Sequence, residues 1–356
     1  MKWLTGIVLI VALALAGGWL FRADIATALF ARGAASAMNA DVIGALPDGL
    51  HVVLCGAGSP LPDRVRSGPC LGVIAGDVLV VVDAGSNGAR NLQTMGVSPG
   101  RVEAVFVTHF HSDHIDGLGE LAMLRWTSGG RDAPLPVHAP RGIERVVDGF
   151  NRAYAQDFYY RVAHHGREVL PPSGAGAVAH SFTLPAAGAP EVVWERDGLT
   201  VTAFRVAHHP IEPAVGYRFD YRGRSLVVSG DTSSIDELIE ISRDVDLLAH
   251  EALAAHLVAI LENAARDSGQ ERLAHILNDI PDYHTTPVEA ARIASAAGVG
   301  GLLLYHIVPA LPLPGLETAF LRGVREVYRG RVTVGRDGTF VSLPADSTQI
   351  RYARLM

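Results

Sequence analysis

The sequence contains almost no lysine: Lys2 is the only one, and every other basic residue is an arginine. Acidic residues outnumber basic ones, and the formal net charge is −7. Because an acidic chain has no global attraction to polyanions, composition gives no sign of a nucleic-acid-binding protein. Hydrophobic residues make up 49% of the 356 positions, which is ample material for a folded core.

Cysteine is also scarce. The two cysteines, Cys55 and Cys70, are too far apart for a CxxC metal or redox site. Both lie in apolar, glycine-rich surroundings, which favours two buried thiols. A disulfide between them is expected only if the domain lies in an oxidising compartment.

One long apolar run stands near the amino terminus. Residues 3–21 contain a single polar residue, Thr5, and nineteen positions are close to the minimum for a membrane-spanning helix. The small-x-small triplet at 35–37 lies far beyond this run, so an uncleaved signal anchor is favoured over a cleaved signal peptide. We therefore interpret residues 1–38 as a membrane anchor with its linker. Residues 39–356 are then one catalytic domain, exported to the periplasm or another extracytoplasmic space.

Beyond the anchor, apolar runs alternate with helical patterns, which predicts a layered α/β fold with mixed sheets. Thr286 is predicted to cap a helix that has Pro287 at its first position. Residues 171–190, rich in proline, glycine, alanine and serine, are predicted to form a surface loop. Strands are predicted within 51–59, 72–85, 104–109, 216–231 and 301–306, and helices over 118–127, 143–163 and 286–298.

The most informative stretch is "VFVTHFHSDHIDG" at 105–117, where three histidines and two aspartates follow an apolar run. His109 and His111 are two residues apart, so at a strand end both side chains project to the same side. Asp113 and His114 follow as the chain leaves the strand. Strand ends are where α/β folds place ligands, and imidazole with carboxylate suits zinc or a similar divalent metal. A full H-x-H-x-D-H run therefore predicts a metal site rather than a solvated polar loop.

This motif resembles the metal-binding motif of the metallo-β-lactamase superfamily. "VTAFRVAHHPIEPAVGYRF", "VVSGDT" and "LLLYHIVP" follow it in the order of that family, and "GAGSPLPDRVRSGPCLGV" and "VVVDAGSN" resemble its domain start. The resemblance covers about 300 residues. It implies an αββα sandwich, in which two mixed β-sheets are flanked by helices, with two zinc ions between the sheets.

The resemblance also implies the metal ligands. One zinc would be held by His109, His111, His208 and Asp231, and the second by Asp113, His114, His306 and the shared Asp231. His208 is preferred over His209 because similar sequences place several residues between the ligand and "GYR". The remaining candidate histidines are interpreted as surface or satisfied core residues: His138, His164, His165, His209, His256 and His275.

Two further segments, "LLAHEAL" and "DYHTTPVEAARIASAAGV", resemble ribonuclease Z and its arylsulfatase-like relatives. The resemblance implies that His284 points into the site and that Glu251 orients it. The alternative is that His284 merely precedes a helix and Glu251 ends a strand at the surface. In the functional interpretation two metals acidify a shared water, Asp113 orients it, and His284 protonates the departing oxygen.

The expected activity is a dizinc hydrolase that cleaves a phosphodiester, an aryl sulfate or a related small ester. A tRNA 3′-processing endoribonuclease is the main alternative, but the segment between the metal motif and His208 lacks the basic arm typical of such enzymes. Lactone or thioester hydrolysis and a non-catalytic membrane-tethered binding protein are further alternatives. The expected partners are a small-molecule ester and the membrane, nucleic acid is not favoured, and a homodimer stays open.

Overall fold

The computed structural model describes residues 3, 5–7, 17–39 and 41–356. The chain divides into two compact units, Met1–Val42 and Ile43–Met356. In the first unit, helix α1 spans Arg22–Asn39. The predicted anchor at 3–21 lies largely outside the described residues and stays a prediction. None of the described helices combines the length and apolarity that a bilayer crossing requires.

The second unit is built on fifteen strands within the described residues. These are β1 (Gly49–Gly56), β2 (Cys70–Ala75), β3 (Val78–Val82), β4 (Val102–Phe106), β5 (Leu135–Pro140), β6 (Ala177–Phe182), β7 (Glu191–Arg196), β8 (Leu199–Arg205), β9 (Val215–Tyr221), β10 (Arg224–Val228), β11 (Leu247–Leu253), β12 (Gly301–Val308), β13 (Arg331–Val334), β14 (Thr339–Pro344) and β15 (Arg351–Arg354).

Its helices connect these strands. They are α2 (Gly88–Thr94), α3 (Ser112–Ile115), α4 (Leu118–Gly129), α5 (Ile143–His165), α6 (Asp236–Ile241), α7 (Ala255–Asp267), α8 (Glu271–Asp279), α9 (Pro287–Ala297), α10 (Leu316–Phe320) and α11 (Val324–Val327). Helix α9 begins as predicted, because the Thr286 hydroxyl accepts from the backbone N–H of Glu289 and the Glu289 carboxylate accepts from that of Thr286.

The strands form two mixed sheets. The first has the order β15-β14-β1-β2-β3-β4-β5-β6 and the second the order β13-β12-β11-β10-β9-β8-β7. In the first sheet β3 to β6 run parallel, and in the second β10 to β13 do, so the chain leaves several neighbouring strands at the same sheet edge. The segments predicted as strands at 72–85 and 216–231 each contain an antiparallel hairpin, β2–β3 and β9–β10 respectively.

The main core lies between the two sheets. Val80 and Val82 from the first sheet pack in one cluster with Tyr217 and Phe219 from the second, and all four are buried. On the outer face of the second sheet, a separate cluster joins strand residues such as Leu302 to α9. On the first sheet, Trp126 of α4 anchors a smaller outer cluster. The layers are therefore helix, sheet, sheet and helix, as predicted.

The prediction of a surface loop at 171–190 is wrong in part. Residues Ala177–Phe182 form β6, which pairs in parallel with β5 along its whole length. This strand lies at the edge of its sheet and is only partly buried, so its apolar signal is weak. Proline and glycine residues flank the strand in the sequence, and they favoured the prediction of a loop.

The prediction of two free buried thiols is also wrong. Cys55 at the end of β1 and Cys70 at the start of β2 form a buried disulfide, with their Cα atoms 4.9 Å apart. The two strands are antiparallel neighbours, so their pairing brings together cysteines that are fifteen positions apart. The disulfide closes the loop formed by residues 57–69.

Candidate metal centre

Three imidazoles and one carboxylate converge at one edge of the sheet sandwich. His109 and His111 follow β4, His208 follows β8, and Asp231 follows β10. His109 Nε2 lies 3.0 Å from His111 Nδ1, which in turn lies 3.4 Å from His208 Nε2. The nearer Asp231 oxygen, Oδ2, is 3.8 Å from His109 Nε2. This spacing lets all four atoms face one ion.

A second group lies beside the first. It consists of Asp113, His114 and His306, whose ligand atoms also lie close enough together to face one ion. Asp231 Oδ2 is 3.3 Å from His114 Nε2 and 3.2 Å from His306 Nε2. The same carboxylate therefore borders both groups, as the sequence analysis expects of a shared ligand.

His306 reaches this position because of a β-bulge in β12. The register against β11 pairs Glu251 with Tyr305 and Ala252 with Ile307, so His306 is the extra residue. Its φ is +46°, a backbone conformation that residues other than glycine rarely adopt. Bulges of this kind re-aim a side chain next to an active site. Here the bulge turns His306 towards Asp231.

Backbone and side-chain acceptors fix which ring nitrogen each histidine presents. His114 Nδ1–H donates to Asp83 at 2.8 Å, and His208 Nδ1–H donates to the carbonyl of Tyr283 at 3.0 Å. His109 Nδ1–H donates to the Thr108 hydroxyl at 3.1 Å. In each ring the Nε2 lone pair is then directed into the site, which is the usual orientation of metal-bound histidines.

Asp83 is a site residue that the sequence analysis missed. Its carboxylate is fully buried and accepts from the Thr108 backbone N–H, the Thr108 hydroxyl and His114. It therefore fixes the end of β4 and one predicted ligand together. The available signal was an aspartate at the end of the apolar run "VLVVVDAG", where a charge is costly unless it is paired.

The electrostatics of the site favour a cation. Burial lowers the pKa of His109, His111 and His208, so these rings are neutral near pH 7. Burial raises the pKa of Asp231, but His306 and His114 outweigh it and hold that pKa well below its usual range. Within the described part of the chain, His114 Nε2 and Asp231 Oδ1 are buried without a hydrogen-bond partner. Such orphaned lone pairs fit a bound metal ion.

Glu251 and His284 form the second predicted pair. Glu251 is fully buried on β11, and His284 immediately precedes the segment that caps α9. His284 Nδ1–H donates to Glu251 Oε1 at 3.1 Å, and the same oxygen accepts from the backbone N–H of Thr285 at 2.9 Å. Neither residue is a surface group, so the alternative interpretation of this pair is wrong.

The ring of His284 borders both groups of candidate ligands. Its centroid is 5.3 Å from that of His208 and 5.4 Å from that of His306. Burial lowers the pKa of His284, but the Glu251 carboxylate raises it by more, and the net pKa is about 9. A protonated imidazole at this point can donate to an oxygen bound in the site.

Three of the histidines predicted to be uninvolved have other surroundings than the candidate ligands. His138 stacks on Phe106 and on His180, with ring centroids 5.2 and 4.9 Å away. His275 is largely exposed and pairs with Asp279. His209 is exposed beside His208, and none of these three belongs to a group that could hold a metal.

Comparison with known proteins agrees with the fold and the motif order. Residues 79–307 match the family model described as the beta-lactamase superfamily domain. The chain belongs to the metallo-β-lactamase superfamily. Ribonuclease Z of Mycobacterium bovis is 35% identical over 290 residues, which cover 81% of this chain and 96% of that protein. This chain is therefore a hydrolytic enzyme related to ribonuclease Z.

Solved structures show the same superfamily fold. The metallo-β-lactamase fold protein YhfI from Bacillus subtilis aligns with a TM-score of 0.58 at 21% identity and covers 83% of this chain and 100% of its own. The short form of human tRNase Z gives the same TM-score and identity and covers 83% and 99%. At these identities the likeness supports the fold alone.

Proposed function

We propose that this protein is a metal-dependent phosphodiesterase of the ribonuclease Z type, and that its substrate is the 3′ end of precursor tRNA. The observation that carries the proposal is the convergence of seven candidate ligands beside the buried Glu251–His284 pair. The ribonuclease Z relatives support the tRNA-processing alternative better than the small-ester interpretation. Aryl sulfate hydrolysis has no comparable support.

In this proposal two zinc ions occupy the two groups. His109, His111 and His208 would hold one ion, and Asp113, His114 and His306 the other, with Asp231 bordering both. When bound, the pair of ions supplies positive charge for the scissile phosphate and lowers the pKa of water. The donor set fits, because the rings of His109, His114 and His208 already direct Nε2 into the site, and His114 Nε2 is buried there without a hydrogen-bond partner among the described residues.

The protein's own residues then position the phosphate and move the protons. His284, held by Glu251, donates a proton to the departing oxygen. Metal ions bound nearby would add positive charge and lower the pKa of His284 from about 9 towards neutrality, which is the useful range for an acid. The backbone N–H of Thr285 fixes Glu251, so the imidazole keeps its tautomer through the reaction.

The proposal is tested with the purified full-length chain loaded with zinc. The substrates are a precursor tRNA with a 3′ trailer, bis(p-nitrophenyl) phosphate, p-nitrophenyl sulfate and a lactone. We expect cleavage of both phosphodiesters, abolished in His114→Ala and retained in His275→Ala, a matched control at an exposed histidine. Turnover of the sulfate or lactone without phosphodiester cleavage would contradict the proposal.

The disulfide supports a second candidate, an exported phosphodiesterase that acts on a small substrate. Buried disulfides form and persist in oxidising compartments, and Cys55–Cys70 is one. Export would also separate the enzyme from precursor tRNA. A C-terminal reporter that works only in the cytoplasm is expected to be inactive under this candidate. An active reporter would reject export and leave tRNA as the substrate.

A further inference from the structure

A small cavity opens directly over the candidate metal centre. Its volume is about 220 Å³, roughly seven times the 30 Å³ that one water molecule occupies in the liquid. His284, His306 and Asp231 form part of its lining, so whatever fills it adjoins the reacting centre. The volume suits a ring or a short chain and not a folded nucleic acid.

One wall of this cavity is an apolar stripe on α8. Leu273, Ile276 and Leu277 recur at the spacing that places side chains on one face of a helix, Ile280 directly follows the end of α8, and all four line the cavity. Leu61, on the loop that the disulfide closes, also lines the cavity and packs against the cluster that contains Leu277. The polar residues of the helix, such as Glu271, fall outside the lining.

Half of the stripe is packed and half is left open. Leu277 is buried in a cluster with Val308 of β12, which fixes α8 against the sheet. In contrast, Leu273 is 40% exposed and Ile276 is 56% exposed. Apolar side chains left open at the mouth of a catalytic cavity are typical of a binding site for an apolar group.

The chemistry of the lining defines the group further. Among the described residues that form the cavity there is no arginine or lysine, and its histidines belong to the candidate metal centre and the Glu251–His284 pair. The α8 side of the cavity therefore offers no cation to an additional phosphate. Apart from these histidines the walls are mainly aliphatic, and Tyr283 is the one phenol ring among the described residues that line the cavity. The group that fits is therefore uncharged and apolar.

We infer that α8 provides a subsite for an alkyl or aryl group attached to the scissile phosphate. Such a subsite would favour phosphodiesters that carry an apolar group, a substrate class distinct from RNA. The inference rests on the proposed phosphodiester chemistry and not on tRNA as the substrate. Leu273 and Ile276 are the specificity-determining residues, because they are the open part of the stripe.

The test measures binding by calorimetry of methyl-, butyl- and octylphosphonate to the zinc-loaded full-length chain. We expect the dissociation constant to fall at least about tenfold from methyl to octyl, the scale for filling an apolar pocket. The variants are Leu273→Ala/Ile276→Ala, and Ile276→Gln, which keeps the length of the side chain and makes it polar. In both variants the dissociation constant should fall less than about threefold from methylphosphonate to octylphosphonate.

Ile260→Ala is the matched control, because Ile260 is 62% exposed on α7 and does not line the cavity. It should retain the wild-type dependence on chain length. Equal affinity for all three phosphonates, or an unchanged dependence in the α8 variants, overturns the apolar subsite. Hydrolysis of bis(p-nitrophenyl) phosphate by the wild type reports on the proposed function separately. A chain that hydrolyses it but binds all three phosphonates equally fails only this inference.

Discussion

Glu251 Oε1 accepts from His284 Nδ1 at 3.1 Å, and the carboxylate is completely buried. Its other oxygen, Oε2, has no hydrogen-bond partner among the described residues. A buried carboxylate is costly unless it is paired, so the pairing with His284 stabilises both groups. The imidazole is thereby directed towards the candidate metal centre with its Nε2 free to act.

His284→Ala should therefore reduce turnover and leave metal binding intact. We expect a loss of about 100- to 10,000-fold for substrates with poor leaving groups, the usual scale for a positioned acid. Turnover of nitrophenolate esters should fall much less, since their leaving group departs without a proton. Glu251→Gln should lose less turnover than His284→Ala on the same substrates. Because His284 also forms a possible ligand group with Asp231 and His306, loss of a metal equivalent in His284→Ala would make it a ligand instead.

Asp231→Ala should remove more than one equivalent of metal, because Asp231 borders both groups of candidate ligands. The wild type should saturate at two zinc ions per chain, measured by elemental analysis after gel filtration. His208→Ala should weaken one site, whereas His209→Ala, the adjacent exposed histidine, should bind metal normally. Saturation of the wild type at one ion would reject the dinuclear assignment.

Removing the disulfide should destabilise the catalytic unit. Cross-linking a loop of fifteen residues lowers the entropy of the unfolded chain by an amount worth about 3 kcal/mol. The unfolding free energy of Cys55→Ser/Cys70→Ser should therefore be lower than that of the wild type by roughly that amount. Its unfolding midpoint should accordingly lie at a lower denaturant concentration. The wild type in reducing buffer should match the variant. If reduction leaves the unfolding midpoint unchanged, the cysteines are not bonded in the protein.

Acid should destabilise the fold partly through His138. Burial lowers the pKa of this residue to about 4, so the unfolded chain takes up its proton at a higher pH than the folded one. The stability it contributes is complete above about pH 6.5 and is lost as the pH falls towards 4. The loss is at most about 1.4 kcal/mol per pH unit.

His138→Leu should accordingly show a shallower decline in unfolding free energy over that pH range than the wild type, at constant zinc. The unfolding free energy of His275→Leu, a change at an exposed position, should decline with pH as that of the wild type does. Differences between variants are needed because burial also lowers the pKa of another histidine, His250. Parallel declines in His138→Leu and the wild type would show that His138 is not the group responsible.

Local signals allowed prediction of most of the candidate centre. The H-x-H-x-D-H run indicated a metal site from its own residue types and its position after an apolar run, whereas Asp231 and His306 were expected because of the family resemblance. The disulfide was harder to predict, because it depends on the antiparallel register of β1 and β2 and not on spacing along the chain. The apolar spacing along α8 is itself a helix signal. That this stripe faces a catalytic cavity depends on how α8 packs against β12, which no local pattern contains.

The hairpin formed by α7 and α8 begins and ends at fixed points. Leu253, the last residue of β11, donates its backbone N–H to the carbonyl of Thr285 at 2.8 Å, so the chain departs and returns at nearly the same place. An excursion whose ends already meet can change in length or sequence at little cost in loop-closure entropy. Glu251 lies two residues before the first of these points, and His284 is the last residue before the second. The helices between these points can therefore change in length or sequence while Glu251 and His284 keep their positions beside the two ends.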